Sequence, residues 1–131
     1  MRALLFIVTL LSFTGLAYGA DHCDSAMTQG QLNDCSARAY RDADAQLNTV
    51  YKHIMGRLDT QPDRAQHLKS AQRAWVKFRD AECQFVADRT AGGSIQPMVI
   101  SACLGSLTRA RTAQLDRYTQ CNEGDVSCPL P

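Results

Sequence analysis

Residues 68–103 read LKSAQRAWVKFRDAECQFVADRTAGGSIQPMVISAC, and this stretch decides the fold. Leu68, Ala71, Trp75, Phe78, Ala81 and Phe85 recur every three or four residues. That spacing is the apolar stripe of an amphipathic helix, which ends near Arg89. Gly92-Gly93-Ser94 supplies the turn, because glycine reaches the left-handed conformations that close a helix. Pro97 suits the first turn of a further helix, whose stripe reads Val99, Cys103, Leu107, Ala110, Gln114 and Tyr118. Two helices joined by so short a bend form an antiparallel hairpin folded near residue 93. Cys83 and Cys103 each lie about ten residues from that bend, so they face one another and are expected to form a disulfide. The same register sets Trp75 against Arg111, Leu68 against Tyr118 and Gln72 against Gln114. Arg111 is then placed to stack on the indole of Trp75, a contact of about 0.5–2 kcal/mol. Asp80 or Glu82 is also within reach of a basic residue of the third helix.

Upstream, Thr28-Gln29-Gly30-Gln31 has the form of a capping box, a hydroxyl followed three residues later by Gln. Leu32, Cys35, Ala39, Ala43, Leu47, Val50, Ile54 and Leu58 continue the helical period, predicting a first helix over about Thr28 to Leu58. Asp34, Arg38 and Asp42 form a ladder of opposite charges on its wet side. Asp59-Thr60-Gln61-Pro62-Asp63 interrupts it: Pro62 fits the first turn of the next helix and Asp63 its positive dipole end. No alternating apolar-polar run predicts a strand. The expected fold is all-α, a three-helix up-down bundle with a disulfide-linked helical hairpin.

The first twenty residues differ from the rest. Arg2 precedes an apolar run from Ala3 to Leu11, and Ala17-Tyr18-Gly19 places small residues as a signal peptidase requires. Spanning a bilayer takes about 20 apolar residues, which this run lacks. Residues 1–20 therefore read as a signal peptide, and residues 21–131 as a single helical domain with a short C-terminal tail at 120–131. No Cys directly follows the small residues, so no lipid anchor remains after cleavage.

All six cysteines follow that segment, and an even count in a small exported chain reads as a disulfide framework. With Cys83–Cys103 paired, locality favours Cys23 with Cys35 and Cys121 with Cys128 among the connectivities that six cysteines allow. Arg2 is one of 14 Lys and Arg, and its loss leaves 13 against 13 Asp and Glu, a net charge of zero. Nucleic-acid binding calls for a basic surplus, so nucleic acid is excluded as a partner.

Catalytic patterns are scarce. His22, His53 and His67 are far apart, without metal-ligand spacing, and no metal or cofactor is expected. The carboxylate pairs Asp42/Asp44 and Asp80/Glu82 diverge on a helix. No nucleophile elbow, phosphate loop or dinucleotide fingerprint occurs. The chain reads as a non-enzyme. Trp75, Phe78 and Phe85 have core spacing, as opposed to a ligand site. Arg79 and Arg111 read as structural ion-pair formers, with a grip on a partner's carboxylate as the alternative. The Gly92-Gly93-Ser94 loop reads as a turn, with docking into a cleft as its alternative.

Ala71-Gln72-Arg73-Ala74-Trp75-Val76-Lys77-Phe78-Arg79-Asp80-Ala81-Glu82-Cys83 carries a family pattern. Gly92-Gly93-Ser94-Ile95, Cys103-Leu104, Leu107-Thr108-Arg109-Ala110-Arg111 and Leu115 follow it in order. Gln31-Leu32-Asn33-Asp34-Cys35 and Ala43 to Tyr51 fit as well. Jointly these segments resemble the LprI-like lysozyme inhibitor family. The resemblance implies an exported, helical, disulfide-bonded bacterial domain, periplasmic or secreted. It implies an inhibitor that occludes lysozyme or another peptidoglycan hydrolase. The alternative is a structural or stress-related cell-envelope protein without an enzyme target. The motif positions Trp75, Arg79, Asp80, Gly92, Gly93 and Arg111 are those the hairpin already assigns to structure.

Overall fold

The computed structural model describes residues 23–122 and 124–130. The expected signal peptide at residues 1–20 and His22 lie outside them. Three helices, α1 (Gln29–Arg57), α2 (Pro62–Ala87) and α3 (Gln96–Thr119), run up, down and up. One-turn 3-10 helices occupy Cys23–Ser25 and Asp88–Thr90, and the described residues contain no strand.

Each boundary has a local cause. Thr28 caps α1, its hydroxyl accepting from the Gln31 amide at 3.2 Å while Gln31 Oε1 accepts from the Thr28 amide at 3.1 Å. Pro62 and Asp63 stand in the first turn of α2. At the hairpin bend Gly92 has φ 75°, a conformation that favours glycine. Asn33 of α1 donates to the Ser94 carbonyl at 3.0 Å, tying the bend to the start of the bundle.

Disulfides join Cys23 to Cys35, Cys83 to Cys103 and Cys121 to Cys128, with Cα separations of 5.9, 5.5 and 5.7 Å. The middle bridge sets the rotation of α2 and corrects the expected stripe. Trp75, Arg79 and Ala87 share the face of Cys83 through steps of four residues, and Arg79, Cys83 and Ala87 are buried. Phe78 and Phe85 lie about 140–160° around the helix from Cys83 at 3.6 residues per turn. They cannot face inward with it. Phe78 is 54% and Phe85 72% exposed, and Ala71 and Ala81 are also exposed.

The closest packing is between α1 and α3, rather than within the α2–α3 hairpin. Gly105 lies at this contact, where a Cβ would stand 3.6 Å from the Tyr40 Cα, an ordinary packing distance. Thus α3 turns Gly105, Thr108 and Leu115 inward, and Ala110 of its expected stripe is exposed.

Leu47, Ile54, Leu58, Leu115 and Leu130 form the apolar core, with Val50, Tyr51, Leu68, Trp75 and Tyr118 packed around it. This core fills the half of the bundle near the end of α1. The chain returns to it after α3. Asp125 accepts from the hydroxyl and amide of Ser127 at 2.6 and 2.9 Å, and these bonds hold its carboxyl below the ordinary range. Arg64 donates to the Pro129 carbonyl, and Leu130 is only 3% exposed. Replacing Leu130 by Ala is expected to cost about 2 kcal/mol by urea denaturation, the lower end for a buried leucine. A loss below about 0.5 kcal/mol would show that the tail adds nothing to the core.

Candidate functional site

Where the apolar core ends, a polar node begins. Arg79 is 7% exposed and lies at its centre. Its Nε and Nη2 reach Asp80 Oδ1 at 2.9 and 2.8 Å, and its Nη1 reaches Asp44 Oδ1 at 3.4 Å and the Thr108 hydroxyl at 3.5 Å. The guanidinium also lies 5.2 Å from the Trp75 ring centroid and 5.5 Å from that of Tyr40. One side chain of α2 therefore joins α1 and α3. Asp80 bonds to its neighbour Arg79 on α2.

Arg111 approaches the same indole at 5.9 Å. Its Nε donates to Gln72 Oε1 at 3.1 Å and its Nη1 to Gln114 Oε1 at 2.6 Å. Burial lowers the Arg111 pKa. Burial raises that of Tyr40, against the opposing pull of Arg79, so its phenol remains a proton donor. Both guanidinium groups are occupied within the fold.

Beside this node, α1 and α2 diverge into an open groove of about 750 Å³. Tyr40, Asp44, Asn48 and Tyr51 line it from α1, and Lys69, Arg73 and Lys77 from α2. Leu47, Gln72, Val76 and Arg79 complete its lining. The cation row at steps of four residues was visible in the sequence as helix-face spacing. The α1 wall that faces it could not be read there.

The other prominent surface is the outward side of α2. Ala71, Ala74, Phe78, Ala81 and Phe85 form an exposed apolar stripe, flanked by exposed Val86. Exposed Ile95 stands beyond Gly92 and Gly93 at the bend. No group of His, Cys, Asp or Glu side chains among the described residues is arranged to hold a metal ion. Among the same residues, no helix is long and apolar enough to cross a membrane.

The model of the family described as "Lysozyme inhibitor LprI" matches residues 20–115. The chain is 38% identical over 112 residues to uncharacterized protein R02472 of Rhizobium meliloti (strain 1021), covering 77% of this chain and 81% of the relative. It is 29% identical over 100 residues to uncharacterized protein YecT of Escherichia coli (strain K12), covering 66% of this chain and 62% of that protein. No solved structure matches the chain.

Proposed function

The chain belongs to the LprI lysozyme inhibitor family, and on that premise we propose that it is an exported protein-binding module that inhibits a lysozyme, or another peptidoglycan hydrolase, by covering its substrate cleft. The family match over residues 20–115 is the observation that carries this reading. Export is supported by the charged, apolar and small-residue order of residues 1–20 and by three disulfides, which persist in oxidising compartments. The protein acts in the periplasm or after secretion, by contact and not by chemistry of its own.

The contact face in this proposal is the outward side of α2. Large aromatics supply most of the energy at protein interfaces when water is excluded around them. Phe78 and Phe85 stand on a rigid helix, separated by the small Ala81, so their rings project. The disulfide that turns them outward also fixes their orientation before binding, which limits the entropy lost on association.

Purified mature protein is expected to suppress lysis of cell-wall suspensions by at least one lysozyme type. Replacing Phe78 and Phe85 together by Ala should raise the inhibitory concentration about 30-fold or more, from about 2 kcal/mol of lost contact. Both rings are exposed, so the melting temperature should hardly change. If the parent protein leaves every lysozyme type active at large molar excess, the inhibitor reading fails and the role as an envelope protein without an enzyme target replaces it.

A further inference from the structure

The α1–α2 groove has a chemistry separate from the aromatic face of α2. We propose that it binds an acidic peptide segment in extended conformation, a segment with Asp or Glu at every second position. This does not depend on lysozyme inhibition.

Charge is the first argument. Lys69, Arg73 and Lys77 line one wall, and none forms a hydrogen bond or ion pair with another described residue. Among the described residues, the only carboxylate lining the groove belongs to Asp44. Its Oδ1 is held by Arg79, and its Oδ2 accepts from Asn48 Nδ2 at 2.9 Å. The wall therefore lacks an internal counter-ion in a chain whose overall charge is nearly balanced.

Spacing is the second. Four helical residues advance about 6 Å along α2. Alternate side chains of an extended strand lie about 6.6 Å apart on one side. Three carboxylates at every second position thus fall in step with Lys69, Arg73 and Lys77.

The opposite wall is the third. An extended peptide brings backbone N–H and C=O groups that need partners. Tyr40 and Tyr51 present hydroxyl groups on that side and Asn48 its amide oxygen, its Nδ2 being taken by Asp44. Gln72 uses its Oε1 for Arg111, which leaves its amide N–H groups as donors. Leu47 gives the groove an apolar floor.

The test uses the mature protein and a fluorescent peptide of about nine residues alternating Glu and Ala, followed by anisotropy. Binding is expected, weakening as salt is raised. A peptide with the same composition but its Glu residues in one block should bind several-fold more weakly, because only the alternating form matches the row. Charge reversal in the triple variant Lys69→Glu, Arg73→Glu, Lys77→Glu should weaken the alternating peptide at least ten-fold. All three side chains are exposed, so the fold should persist, checked by circular dichroism. Lysozyme inhibition by this variant should be unchanged, which keeps the two sites distinguishable. Equal affinity of the parent and triple variant, no binding of the alternating peptide, or tighter binding of soluble muramic-acid-containing glycan fragments would each overturn the proposal.

Discussion

Replacing Arg79 by Ala is expected to remove about 3 kcal/mol of stability, measured by urea denaturation of the oxidised protein. Removing one member of a fully buried pair costs about 3–5 kcal/mol, because the remaining charge is left in low dielectric. Here Asp44 and Asp80 are partly solvated, with side-chain exposures of 41% and 56%, so both can rehydrate and the electrostatic part is reduced. The packing part is not reduced in this way. The guanidinium fills the space between the rings of Trp75 and Tyr40 and the buried Thr108, and Ala leaves that space empty. Arg79→Lys should recover less than half of the loss, since an ammonium keeps the charge but cannot fork to Asp80 while lying flat on an indole. Arg79→Met restores volume without charge and separates the two contributions. A loss below about 1 kcal/mol in Arg79→Ala would mean that the node only occupies space.

The Cys83→Ala/Cys103→Ala variant is expected to lose about 3–4 kcal/mol, against about 2 kcal/mol for Cys121→Ala/Cys128→Ala. Loop entropy contributes one part of the difference, with a sequence separation of 20 for the first bridge and 7 for the second. Position contributes the other. The leucine-rich core lies in the opposite half of the bundle, and around Cys83 the buried groups are Ala43, Ala87, Gly105, Thr108 and Arg79. These bury little apolar surface, so the bridge carries a larger share of the local stability. Amide exchange should therefore accelerate most at the end of α2 and the start of α3, with the core near Ile54 and Leu115 changing less. Equal losses in the two variants, with uniform exchange, would contradict this division of the bundle.

Much of the architecture was legible in the residues. The Thr28 capping box, Pro62, Gly92 and Pro97 are local signals, and local backbone chemistry acts on whichever residue carries it. Facing positions in a short hairpin then follow from counting, which brought Cys83 to Cys103 and Trp75 to Arg111. The rotation of α2 was misread because that helix carries two apolar rows. One row runs through Trp75, Cys83 and Ala87, and the other through Phe78, Ala81 and Phe85. Helical period alone ranks the second higher, since it holds the larger side chains.

The sequence by itself determined the helices, their bends and which cysteines come within reach. Tertiary structure decided which side of α2 faces in, that α3 packs most closely on α1, and that Lys69, Arg73 and Lys77 look across a groove at Tyr40, Asn48 and Tyr51. The physical reason is that period and capping are properties of one segment. The covered face of a helix is set by its neighbours, here by a covalent bridge that admits only one rotation.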